Sequence, residues 1–337
     1  MHDQYGRNID YMRISVTDRC NLRCAYCMPE GVPLSTMDDL LTYEEIAETV
    51  AAAADLGIRH IKLTGGEPLV RRGLPSLVRL LKEIDGIEKV TLTTNGTMLE
   101  KNLDALVQAG LDAVNISLDC LDRETYRRIT GTDALETVLS AIDAACRAGI
   151  RTKINAVSLD LQKAAGSAAS ADPEKPAWKA LAELAKDRPL DVRFIEIMPI
   201  GYGKSFAGIT HEELLAQIRA EYPGLEEDHT VHGFGPAVYY RIPGWQGSIG
   251  LISALHGKFC GACNRVRMTS EGYLKACLCY DQGADLREIL RAEMPAGEKE
   301  GKLREVMRST IFGKPREHCF EHPKEITEEA AMIAIGG

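Results

Sequence analysis

The chain has 337 residues, 45% of them hydrophobic and 26% charged, enough to bury a large core as one big α/β domain or one domain with a substantial extension. A net charge of −9 excludes a general affinity for nucleic acid or anionic membrane, so any phosphate-bearing ligand needs its own cluster of Arg and Lys. No run of about 18 apolar residues occurs, and the start MHDQYGRNIDYMR lacks signal- or transit-peptide features, so a cytoplasmic protein is expected, with its ten cysteines reduced and available to metals.

In chain order, YMRISV reads as a first strand and is followed by a cysteine-rich loop. TYEEIAETVAAAADLG reads as a helix, opened by a capping box of Thr42 and Glu45 and closed at Gly57. RHIKLTGG and KVTLTTNG are strands; a helix ending at Gly110 precedes LDAVNISLD, and one ending at Gly149 precedes IRTKINAVSL. Residues 160–176, small, polar and Pro-containing, read as a flexible surface insertion, after which a helix near 176–187 leads into DVRFIEIM. Roughly six such alternations predict parallel strands with crossover helices, in a barrel or an open doubly wound sheet, with sites at the strands' carboxyl ends. Beyond residue 200 the pattern changes to a helix near Thr210, the strands AVYYRI and SIGLIS, and RVRMTSEGYLKACL with a hairpin turn at Glu271-Gly272. The last fifty residues read as helical and charged, and the whole of this part as a smaller region packed onto the first.

Cys20, Cys24 and Cys27 lie within eight residues directly after the first strand. Thiolates this close repel unless a metal or cluster holds them. A closed zinc site takes four ligands, and this loop offers no fourth Cys or His. Three thiolates on a [4Fe-4S] cluster leave one iron open to a ligand that is not protein. A second set, Cys260, Cys263 and Cys277, leaves the zinc alternative open, because His256 or Cys279 could complete a Cys₃His or Cys₄ site. Between its members Arg265 and Arg267 alternate along a strand, so both guanidiniums face one way, as bidentate phosphate binding needs.

The Cys20–Cys27 spacing, with Tyr26 between the last two cysteines and TGGEP (Thr64 to Pro68) ending the second strand, resembles the radical S-adenosylmethionine (SAM) enzymes. Nearly the whole chain, from YMRISVTDRCNLRCAYC through LTGGEPLVRR, TLTTNGTML, NISLDCLD, RFIEIM and CGACNRVRMTSEGYLKACL to the terminal IGG, is similar to one of their families, the GTP 3′,8-cyclases of molybdenum cofactor biosynthesis. That resemblance implies an incomplete (β/α)6-type TIM barrel over residues 1–200 and a C-terminal region, 201–337, carrying a second iron–sulfur cluster. It implies two [4Fe-4S] clusters, on Cys20, Cys24, Cys27 and on Cys260, Cys263, Cys277. SAM contacts fall to Tyr26, Gly66, Ser117 and Met198, and GTP contacts to Arg13, Lys62, Thr93, Lys153, Arg265, Val266 and Arg267. Lys62 stands where the family often has Arg, and Cys279 is an extra thiol that would close the second cluster if it bound there. A 5′-deoxyadenosyl radical would abstract the 3′ hydrogen of GTP, and the ribose radical would attack C8 of guanine. The resemblance also implies an electron donor, a downstream cyclic pyranopterin monophosphate synthase, a homodimer, and a role for Gly336 and Gly337 inside the cavity. The alternatives are a radical SAM enzyme acting on a peptide, against which the NRVR arginines argue, and a non-catalytic iron–sulfur or zinc protein.

Overall fold

The computed structural model describes residues 1–29, 34–160, 176–257 and 259–335. All of the predicted insertion except its ends, Asp160 and Pro176, and the Gly336-Gly337 tail lie outside the described residues.

The six expected strands form, as β1 (Tyr11–Ser15), β2 (His60–Thr64), β3 (Lys89–Thr94), β4 (Ala113–Ser117), β5 (Arg151–Val157) and β6 (Leu190–Ile195), each parallel to the next. They follow β-branched and aliphatic alternation: in β1, Met12 and Ile14 are fully buried under the helices while Arg13 occupies the opposite face. The crossovers carry α1 (Tyr43–Asp55), α2 (Leu74–Lys82), α3 (Leu99–Gln108), α4 (Arg123–Thr130) and α5 (Leu135–Arg147). Both halves of the Thr42–Glu45 capping box are made. The single helix expected before Gly149 is instead two, α4 and α5, because Gly131 adopts φ +73°, a left-handed conformation that ends α4. Between β5 and β6 lies the short α6 (Ala177–Glu183).

The chain after residue 200 contributes to the same sheet at both edges. Following α7 (His211–Glu221), whose Thr210–Glu213 capping box is also complete, β7 (Glu226–Asp228), β8 (Val238–Arg241) and β9 (Ser248–Ile252) extend the β6 edge. At the other edge β10 (Arg265–Met268) joins β1, followed by β11 (Tyr273–Lys275) and β12 (Gly283–Asp285). The result is one open sheet of twelve strands, in the order β12-β11-β10-β1-β2-β3-β4-β5-β6-β9-β8-β7. Because β9 pairs parallel with β6 and β10 parallel with β1, the parallel part of the partial barrel grows beyond the six strands expected, with antiparallel pairs at its margins. After α8 (Arg287–Arg291), α9 (Ala296–Phe312) packs on α1. The predicted helical tail ends there: Gly313 and Pro315 break it, and residues 313–335 run irregularly, with two single 3₁₀ turns, over a small apolar cluster of Ile200, Leu278, Cys279, Cys319, Phe320 and Ile326. Among the described residues no helix is long and apolar enough to cross a membrane.

Parallel strands share a polarity, so the molecule has two distinct mouths. Loops after β1 to β6 lie at the C-terminal mouth. Residues leading into β1, β2 and β10, together with those leaving the antiparallel β11, lie at the N-terminal mouth. The amino-terminal hook is clamped there by Arg7, which pairs with buried Asp3 at 2.6 Å and donates to the carbonyls of Cys260 (2.9 Å), Arg316 (2.8 Å) and Pro315 (2.7 Å). Arg7→Met leaves the Asp3 carboxylate buried and unpaired, so we expect it to cost about 3–5 kcal/mol of unfolding free energy, read as a lowered urea midpoint at unchanged slope.

Candidate functional site

At the C-terminal mouth the first cysteine loop is pinned by backbone bonds from Arg23 to Thr130 (2.8 Å) and from Ala25 to Ile129 (2.9 Å), and turns back on itself where Cys27 and Met28 donate to the Cys24 carbonyl. The TGGEP turn fits against this loop: a Cβ on Gly65 would stand 2.4 Å from the Thr17 carbonyl oxygen, and one on Gly66 2.3 Å from that of Arg19. The close approach at Gly66 is thus to the cysteine loop's own backbone. Glu67, fully buried, accepts from Leu69 N (3.0 Å), Thr94 Oγ1 (2.7 Å) and Asn95 N (2.6 Å), tying the ends of β2 and β3 together; burial lifts its pKa to about 7. Asn95 in turn reaches the Cys20 sulfur at 3.8 Å.

Tyr26 donates to Asp119 Oδ2 at 2.8 Å, and Asp119 Oδ1 accepts from Val157 N at 2.8 Å, so the ends of β4 and β5 orient the ring. Burial raises Asp119 to about 6, and it raises the Tyr26 phenol well above its usual range, with Asp119 adding to the effect. Cys24, Tyr26, Ser117 and Asn95 line one small cavity of ≈ 30 Å³. Met198 does not line it; its side chain packs against the apolar cluster under the C-terminal segment. Burial drives the Cys24 thiol well up and that of Cys27 to about 12; the neighbouring cysteines and Asp119 add to both, and no cationic side chain offsets them. Thiols crowded in this way become thiolates when an iron–sulfur cluster supplies the positive charge, and at Cys20 the Arg23 guanidinium also favours the thiolate.

Inside the sheet the register does the assembling. Arg13 pairs across to Lys62 on one side and Arg267 on the other, while Thr93, Asn115, Lys153 and Asp191 form one row across β3 to β6. Burial lowers the Lys62 pKa well below its ordinary value, and Arg193, Arg13, Lys153 and Arg265 depress it further. Arg267 is likewise driven well down by burial and then by Arg13 and Arg265, and Arg13 falls to about 10. Each of these cations is destabilised by the others, a stored repulsion that a bound polyanion relieves. The Thr93 hydroxyl is buried with no partner and faces the same lumen. Val266 is fully buried on the helix side, leaving only its backbone for a ligand.

Arg193 is the member missed in the sequence. It projects from β6, where Asn155 Oδ1 accepts from its Nε at 3.0 Å and from Nη2 at 2.5 Å, and Asn115, with its amide oxygen turned inward, accepts from both Arg193 (2.9 Å) and Lys62. The signal was an arginine inside the otherwise apolar run VRFI. Lys153 meets Asp191 at 3.0 Å and Tyr239 Oη at 2.8 Å, and donates to the His232 carbonyl.

The second cysteine set lies at the N-terminal mouth, opposite the first. Cys260 and Cys263 flank a 3₁₀ turn before β10, and Cys277 follows β11, so the antiparallel β10/β11 pairing brings them to one end. Lys314, buried, anchors this corner by donating to Arg265 O (2.9 Å) and Ala276 O. Burial would raise the Cys263 pKa, but Lys314 and Arg265 outweigh it and hold the thiol at about 7. Neither candidate fourth ligand is directed here. His256 Nδ1 meets Glu196 Oε1 at 3.1 Å, and the Cys279 sulfur lies 2.9 Å from that of Cys319 inside the apolar cluster. Among the described residues no three His, Cys, Asp or Glu side chains converge as ligands of a single ion.

Residues 14–161 match the Radical SAM superfamily and residues 190–320 the Molybdenum Cofactor Synthesis C family. The GTP 3′,8-cyclase of Clostridium perfringens (strain 13) is 41% identical over 338 residues, covering 100% of both chains, and that of Heliobacterium modesticaldum 42% identical over 342 residues, again covering both fully. Among solved structures, Streptococcus suis SuiB bound to S-adenosylmethionine superposes with a TM-score of 0.61 at 13% identity, over 97% of this chain and 77% of that one, which is a likeness of fold. With relatives this similar along its entire length, the chain belongs to the GTP 3′,8-cyclase family of radical SAM enzymes.

Proposed function

We propose that this protein converts GTP to (8S)-3′,8-cyclo-7,8-dihydroguanosine 5′-triphosphate, the first step of molybdenum cofactor biosynthesis. The observation that carries the reading is the row of Arg13, Lys62, Lys153, Arg193, Arg265 and Arg267 lining one lumen between two cysteine triads at its opposite mouths. A triphosphate complements a concentration of positive charge that a neutral peptide does not.

In this reading Cys20, Cys24 and Cys27 hold a [4Fe-4S] cluster, and Tyr26, Gly66, Ser117 and Met198 surround SAM. Cys260, Cys263 and Cys277 hold a second such cluster. When bound, the reduced first cluster would supply one electron to the SAM sulfonium, whose carbon–sulfur bond would break to leave methionine and a primary carbon radical. The protein's contribution is to hold, orient and keep dry. Arg13, Lys62, Arg193, Arg265 and Arg267 grip the triphosphate, Thr93 offers its unpaired hydroxyl, and Lys153 adds charge from the β5 side. With the triphosphate fixed in mid-lumen, the nucleoside is confined to the space between the two mouths. Asp119 keeps Tyr26 in place, and Glu67 keeps the β2 and β3 ends from parting beside the cysteine loop. A cytoplasmic location, a one-electron donor, a downstream cyclic pyranopterin monophosphate synthase and a homodimer complete the proposal.

Anaerobically reconstituted protein should carry about eight irons, from two four-iron clusters, and should form 5′-deoxyadenosine only when GTP is added. Four irons plus one zinc would overturn the second cluster. Arg265→Ala and Arg267→Ala should each lower GTP-dependent turnover about a hundredfold or more through the loss of a charged hydrogen-bonding group, at unchanged iron content; iron loss would make them structural instead. Arg193→Ala should weaken GTP binding in the same direction with little change for guanosine, measured by calorimetry.

A further inference from the structure

The segment 229–237, between β7 and β8, is used by none of the roles above, yet it makes contacts on both sides of the N-terminal mouth. It leaves β7 at the β6 edge, where Thr230 caps Asp228 through N (2.9 Å) and Oγ1 (2.7 Å). The His232 ring then lies between two carboxylates, Nδ1 at 3.1 Å from Asp191 and Nε2 at 3.1 Å from Asp228, and stacks on Tyr239 at 4.0 Å and 12°. Two residues on, Phe234 stacks on His60 at the foot of β2, with centroids 3.4 Å apart, and its carbonyl accepts from Asn264 at 3.4 Å. Asn264 is itself held by Asp10, ahead of β1, at 2.7 Å. The crossing therefore links the β6 side of the open sheet to its β1, β2 and β10 side. Its outer surface is wet, with Val231 78% and Phe234 43% exposed, so it is one layer thick.

We propose that segment 229–237 is a plug that seals the N-terminal mouth of the lumen, with His232 as the positioning residue that sets it and Lys153 as its latch. All three protons of the Lys153 ammonium are spoken for, by Asp191, Tyr239 and the His232 carbonyl, so the latch joins the plug to the floor of the cation row. An open sheet needs such a closure: water or buffer entering by this mouth would reach the cations directly and screen them. The sealing stands on the geometry alone. Its consequence for catalysis rests on the cyclase reading, because a carbon radical that takes a hydrogen atom from a C–H bond of entering buffer is lost before it adds to the base, leaving the radical on the buffer.

The test uses cluster-reconstituted enzyme and two readouts. In His232→Ala, backbone hydrogen exchange across 229–237 should accelerate about tenfold or more while β1 to β6 keep their protection, and 5′-deoxyadenosine formed per cyclised nucleotide should rise severalfold. His232→Gln, which keeps a hydrogen bond to one carboxylate, should restore part of both. Phe234→Ala releases the other end and serves if His232→Ala does not fold. Unchanged exchange in the variants overturns the plug, as does faster exchange with an unaltered product ratio. If the wild-type enzyme makes no cyclised nucleotide, the cyclase reading fails on its own and the exchange measurement alone decides the plug.

Discussion

Positive charge packed inside a sheet is the constraint on which the rest of this structure depends. In a chain of net charge −9, the lumen gathers Arg13, Lys62, Lys153, Arg193, Arg265 and Arg267 on neighbouring strands, and burial together with mutual repulsion depresses Lys62 and Arg267 well below their ordinary range. Such an arrangement costs folding free energy. It is held by the apolar layer on the other face, where Met12, Ile14, Ile61, Leu63, Val90 and Leu92 are fully buried beneath the helices. Around the cations the sheet places amides where counter-charge would be expected: Asn155 and Asn115 serve Arg193, and Asn115 also Lys62. Amide oxygens satisfy the donors geometrically and leave the charge in place for an anionic ligand.

Strand polarity then decides where the chemistry sits. The first cysteine triad follows β1 and the second precedes β10, which is parallel to β1, so the two are separated by the length of the strands between them. Cys277 joins the second triad only because β11 runs antiparallel and returns the chain to the same end. Each corner has its own fastening in buried charge: Glu67 bridges β2 to β3 at one mouth, and Arg7 and Lys314 gather carbonyls at the other.

Much of this was legible in the residues. The Thr42–Glu45 box, the glycines at 57, 110 and 149, and the apolar alternation located α1 and the six central strands, and the cysteine spacings with TGGEP pointed to the chemistry. What escaped was non-local. Nothing in SIGLIS or RVRM says that these segments join a sheet parallel to β6 and β1, since periodicity carries a strand's faces and not its neighbours. β7 and β12 span three residues each, too short to alternate. Arg193 was hidden in a motif valued for its methionine. Gly66 also admits the Arg19 carbonyl, a close approach that the local sequence does not announce.

The extra thiol at Cys279 shows how the fold sets one neighbouring donor apart from the second cysteine set. Two residues beyond Cys277, it is close enough in sequence to close the second triad, and by spacing alone it competes with any external ligand. The tail removes it. Glu328, buried, pairs with the equally buried Lys275 on β11, and its backbone N–H donates to the Cys279 carbonyl at 3.3 Å, while Cys319 brings its sulfur and its N–H (3.3 Å) to the Cys279 sulfur. Burial and the neighbouring Cys319 hold Cys279 in its neutral thiol form, which is a poor ligand. The irregular stretch after Gly313 therefore has a chemical task as well as a packing one. It keeps the Cys279 sulfur turned towards Cys319.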